Sequence, residues 1–104
     1  MSAPTPPMAG PDRLTVPIRL PQPLRELAGG RSEVVVEAGT VGEALVTLLE
    51  THPGLRRHLR DEAGALRDHV NVFVNAEDVR YLRGESTRVA EGDVLTLVAS
   101  IAGG

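Results

Sequence analysis

Few residue types in this chain of 104 residues could do chemistry: three histidines, His52, His58 and His69, no cysteine, and a closing pair, Gly103 and Gly104. Without cysteine there is no thiol nucleophile, disulfide or Fe–S cluster. The histidines lack the close spacing of zinc ligands and read as ordinary surface residues, so no metal site is expected. No GxGxxG, GxxxxGK[ST] or GxSxG occurs, and Gly29-Gly30, flanked by strand-like segments, reads as a turn rather than a phosphate cradle. What remains is the carboxylate of Gly104. A terminal carboxylate has a typical pKa of about 3.5, is ionised at neutral pH, and resists nucleophiles until it is activated. A mixed anhydride with AMP would remove that resistance. Because glycine has no Cβ, the segment Ser100, Ile101, Ala102, Gly103, Gly104 is able to extend as a thin thread and carry that carboxylate into a narrow channel of another protein.

Such a thread needs an anchor, and the rest of the sequence supplies one. Residues 1–12 hold four prolines among small residues and read as a disordered tail; 13–99 form one domain, and 100–104 a flexible tail. Leu14, Val16, Ile18 and Leu20 alternate with Thr15, Pro17 and Arg19, the period of a half-buried strand; Pro17, which lacks a ladder donor, points to an edge or a bulge. Val34, Val35 and Val36 predict a second strand paired with the first. Thr40 and Glu43 have the spacing of a capping box, and Val41, Ala44, Leu45, Leu48 and Leu49 form a helical stripe that Pro53 and Gly54 stop. Leu55 and Leu59 suggest a short second helix. Val70, Val72 and Val74 alternate with Asn71, Phe73 and Asn75 in a further strand, followed by a turn at 75–78, a short strand around Val79 to Leu82, a loop, and a last strand from Val94. The expected fold is an α+β roll, a mixed sheet of four to five strands with one main helix packed on one face.

Composition narrows the function classes. A hydrophobic fraction of 41% with 24% charged residues fits a globular domain. A net charge of −3 and arginines scattered along the sequence argue against nucleic acid; no apolar run reaches the length of a membrane span, and no signal peptide is evident, so a cytoplasmic location is expected. All eleven basic residues are arginine. A chain without lysine offers no side-chain amine on which it could itself be extended.

The segments "VNVFVNAEDVR" (Val70 to Arg80), "EGD" (Glu91 to Asp93) and "VLTLVASIAGG" (Val94 to Gly104), with "LRELAGG" and "TVGEAL" upstream, resemble the MoaD/ThiS family of ubiquitin-like sulfur carriers, most closely its CysO-type branch. The resemblance runs from Arg13 to Gly104; one departure is Ala99, where many members have proline. It implies a ubiquitin-like β-grasp fold and a protein co-substrate, not an enzyme, that binds no cofactor of its own and is a monomer when free. An E1-like enzyme of the MoeB/ThiF type would use Mg-ATP to adenylate Gly104, and a sulfur donor would convert it to a thiocarboxylate. A sulfur-acceptor enzyme, such as a cysteine synthase or another thio-metabolite synthase, would consume the sulfur, and a hydrolase would release the product. Ser100, Ile101, Ala102 and Gly103 would occupy the partner's channel, and Phe73 and Arg80 would lie on a docking surface. The alternative is a ubiquitin-like modifier joined to lysines of target proteins through Gly104.

Overall fold

Every alternating segment read from the sequence becomes a strand in a computed structural model, which describes residues 13–99. In chain order the elements are β1 (Leu14–Arg19), a helical turn α1 (Gln22–Arg25) running into a 3-10 turn (Glu26–Ala28), β2 (Glu33–Ala38), the main helix α2 (Val41–Thr51), and a 3-10 turn (Pro53–Leu55) leading into α3 (Arg56–Leu59). β3 (Val70–Val74), β4 (Glu77–Asp78) and β5 (Leu95–Ala99) follow. The strands form one sheet in the order β2-β1-β5-β3-β4. β1 and β5 run parallel and every other neighbouring pair is antiparallel, so the sheet is mixed, as expected.

Period-two alternation places Val16, Ile18, Val34, Val36, Val72, Leu95 and Leu97 on the inner face. Against it α2 lays Val41, Ala44, Leu45, Leu48 and Leu49, the stripe expected from the sequence, and Leu55 and Leu59 join the same core. Burying a side chain of leucine size stabilises by about 1.5–3 kcal/mol, so this continuous interface dominates the fold. Thr40 caps α2 by accepting the Glu43 backbone N–H at 3.2 Å, but the Glu43 carboxylate reaches the N–H of Gly39 at 2.7 Å, one residue upstream of the cap. Gly42 sits in a tight spot: a Cβ there would lie 3.2 Å from the carbonyl oxygen of Glu85, so a side chain would need that neighbour to give by a few tenths of an ångström.

Two local expectations are corrected. The strand expected around Val79 to Leu82 lies earlier, at Glu77–Asp78, and Val79–Tyr81 is a 3-10 turn. Asp78 causes the switch: its carboxylate accepts the Arg80 backbone N–H at 2.8 Å and caps the turn. Pro17 marks neither an edge strand nor a bulge, because β1 lies inside the sheet. It is in register with Val35 of β2, whereas β5 begins to pair only at Ile18. The proline thus sits where β1 has a partner on one side only, and its missing donor breaks no recorded ladder.

Candidate functional site: the end of β5 and its surroundings

β5 is built to hold the segment that follows it. Leu95 and Leu97 are buried in the core, Thr96 and Val98 face outward, and Ala99 packs against the core at its margin. Five consecutive residues pair with β3, from Val74↔Leu95 to Val70↔Ala99, while β1 adds Ile18 and Arg19 on the other side. The segment expected to carry the chemistry, Ser100, Ile101, Ala102, Gly103 and Gly104, is bonded to this anchored end and lies outside the described residues.

Phe73 is where alternation puts it, on the face opposite the core, in register with Thr96 of β5 and Asp78 of β4. It is half-buried; on the same face Val35 is 58% exposed and Val98 39%. Arg80 is held rather than free. Its Nη2 donates to Oδ2 of Asp78 at 2.9 Å and its Nε to Oδ1 at 3.3 Å. These hydrogen bonds, with the backbone N–H of Arg80, hold the Asp78 carboxyl below the usual range and raise the guanidinium in turn. Tyr81, next in sequence, is 85% exposed.

Two further clusters were not legible as patterns. Arg60 grips Glu85 in a two-pronged pair, Nη1 to Oε2 at 2.6 Å and Nη2 to Oε1 at 2.8 Å, with the arginine side chain nearly buried. Hydrogen bonding by Arg60 lowers the Glu85 carboxyl, and burial acts against it. Asn75, in the left-handed region at φ 57°, clamps the loop before β5: its Nδ2 donates to Oδ1 of Asp93 at 2.9 Å, and its Oδ1 accepts the Val94 N–H at 3.0 Å. Asp93 Oδ2 accepts the Ala90 N–H at 2.8 Å. The "EGD" segment is therefore a stitched turn that aims β5. The three histidines do not converge: among the described residues no group of three or more His, Cys, Asp or Glu is placed to hold a metal ion, and no helix is long and apolar enough to cross a membrane.

Comparison with known proteins gives this arrangement its context. The model of the ThiS family matches residues 18–104. The sulfur carrier protein CysO of Mycobacterium tuberculosis is 34% identical over 93 residues, covering 88% of this chain and 100% of the relative. Small archaeal modifier protein 1 of Haloferax volcanii is 41% identical over 83 residues, covering 78% of this chain and 91% of the relative. Among solved structures, a chain of the crystal structure of the Amycolatopsis orientalis BexX/CysO complex matches with a TM-score of 0.76 at 36% identity, over 86% of this chain and 99% of that one.

Proposed function

This chain belongs to the ThiS family and shares its ubiquitin-like β-grasp fold with solved carrier and modifier structures, and from that premise we propose that it is a sulfur carrier acting through the carboxylate of Gly104. The observation that carries this reading is a match that covers the whole of a relative named sulfur carrier protein and, in the family model, extends to Gly104. In the proposed cycle the Gly104 carboxylate attacks the α-phosphorus of ATP on an E1-like enzyme, releasing pyrophosphate and forming an acyl adenylate. A sulfur donor then displaces AMP, leaving a thiocarboxylate. Mg-ATP belongs to that partner, and the only reacting group of the carrier is its own terminus. Its sulfur, ionised and polarisable, attacks an activated small molecule on a second enzyme, and hydrolysis restores the carboxylate. The similarity to CysO points to cysteine, or another sulfur-containing metabolite, as the product class.

Each residue then has one task. Gly104 carries the acyl group, Gly103 and Ala102 keep the thread thin, and Ile101 and Ser100 line the partner's channel. The outward face around Phe73 and Val98 supplies apolar contact beside the tail, with Arg80 at its margin. A second reading, conjugation to lysines of target proteins through Gly104, is favoured by the similarity to small archaeal modifier protein 1. Intact-mass measurement after coexpression with a MoeB/ThiF-type enzyme and a sulfur source separates the two. Exchange of one oxygen for sulfur, lost on deleting Gly104, supports the carrier; stable amide adducts on other proteins support the modifier; an unchanged mass with no adducts rejects both.

A further inference from the structure

The arginines are scattered along the sequence but not in space. Because β5 runs parallel to β1 and antiparallel to β3, Arg19, Ala99 and Val70 lie at the same end of the sheet. The β1–β2 connection and the 52–69 segment meet at that end: a Cβ on Gly54 would lie 3.8 Å from the Leu27 carbonyl oxygen, and the Val70 N–H donates to the Arg67 carbonyl at 3.0 Å. Seven of the eleven arginines lie in or border these segments. Arg19 and Arg60 are paired with Glu33 and Glu85. Arg25, Arg31, Arg56, Arg57 and Arg67 have no carboxylate within ion-pair distance among the described residues; the same segments carry four acids, Glu26, Asp61, Glu62 and Asp68, so this end holds a small positive excess on a chain whose net charge is −3. Elsewhere Arg13 and Arg80 are paired with Glu43 and Asp78.

The unpaired cations are positioned rather than merely present. The Nε of Arg67 donates to the Arg57 carbonyl at 2.7 Å, and that of Arg25 to the Leu20 carbonyl at 3.0 Å, which leaves the outer guanidinium nitrogens for solvent or a ligand. Arg56, Arg57 and Arg67 line a groove of about 650 Å³ with His58 and Leu27. The same groove carries two acids, Asp61, whose Oδ1 accepts the N–H groups of Ala63 and Ala65, and the exposed Glu62; neither lies within ion-pair distance of these arginines, which outnumber them.

We propose that this basic end, beside the point where the tail leaves β5, docks on an acidic protein surface around the mouth of the channel that receives the tail. The inference rests on reading Gly104 as the delivered group. A net charge of −3 opposes loose binding to extended polyanions, whereas a local acidic rim meets the unpaired arginines first and orients the tail toward the channel. Such complementarity acts mainly on the rate of encounter and is screened over about 8 Å at physiological ionic strength.

The test uses the full chain, labelled with 15N and titrated with hexaglutamate at low salt. The expected amide shifts cluster in 24–32 and 55–69, vanish in Arg56→Glu/Arg57→Glu, and persist in the control Arg83→Glu. Shifts spread over the whole surface, shifts retained by the double variant, or the same shifts from inorganic phosphate at equal charge would overturn the proposal. With the activating enzyme from the mass experiment, the double variant should release pyrophosphate about 10-fold more slowly at low salt, the gap closing at high salt; equal rates at low salt overturn it too. Failure of every enzyme to activate the unmodified chain rejects the carrier reading, while the titration still decides the fate of the basic end.

Discussion

The two ends of the sheet handle polar groups in opposite ways. At the end opposite the tail, Asn75 and Asp93 direct their side chains to each other and to the backbone of the 90–94 turn, and Thr40 and Glu43 accept the N–H groups of Glu43 and Gly39 around the start of α2. At the tail end, five arginines make no ion pair within the described part of the chain, although Glu26, Asp61, Glu62 and Asp68 lie in the same segments. A polar group matched from within holds the fold; one left unmatched costs little at the surface and is available for recognition. The contrast implies that substitutions at the far end should be read in stability, and substitutions at the tail end in delivery.

The largest effect expected is on the tail itself. Deleting Gly104, or adding a single residue after it, should abolish thiocarboxylate formation by mass while the urea-unfolding midpoint stays put. A midpoint that moved with it would break the division between the ends. Next comes Asn75→Ala, which puts a residue with a Cβ at φ 57° and removes two hydrogen bonds; it should cost about 2–3 kcal/mol in urea unfolding. Asn75→Gly relieves the backbone term and should cost about 1 kcal/mol less.

A smaller loss, about 1–2 kcal/mol, is expected for Glu85→Gln, which leaves the nearly buried Arg60 without its counter-ion. The same pair, with Asp78 and Arg80, contributes to the acid response. Both carboxyls are lowered in the folded state, so their stabilisation is complete above about pH 5 and is lost as pH falls through about 4 toward the folded values. Thermal unfolding across that range should therefore show a shallower acid slope for Glu85→Gln than for the parent chain; equal slopes would show that the pair does not couple to folding. The smallest stability change, within about 0.5 kcal/mol, belongs to Arg56→Glu/Arg57→Glu, since both side chains are exposed and make no recorded hydrogen bond or ion pair from their guanidinium groups. A larger destabilisation would mean that the basic end also holds the fold.

What could be read from the sequence follows the range of the interaction. The α2 stripe and the Val70, Val72, Val74 alternation are local periodicities, so the helix, the strands and the side to which Phe73 points were all legible. Val79 to Leu82 looked like a strand because the apolar residues favour one, but a single Asp78 cap outweighed that preference. Arg60–Glu85 and Asn75–Asp93 join residues 25 and 18 positions apart and leave no periodic trace. The clustering of arginines was hidden for the same reason: the parallel pairing of β1 with β5 and the antiparallel pairing of β3 with β5 together bring the 19–31 and 56–67 segments to one end.

The five-residue ladder between β3 and β5 also has a mechanical consequence. Hydrogen bonds in an antiparallel pair lie across the strands, so tension applied along β5 from Ala99 loads the ladder in shear, every bond sharing the strain, and does not peel the bonds apart in succession. A partner that grips the terminus and pulls would have to tear the whole ladder before the strand gave way, which makes β5 a tether able to bear load while its far end is being worked on.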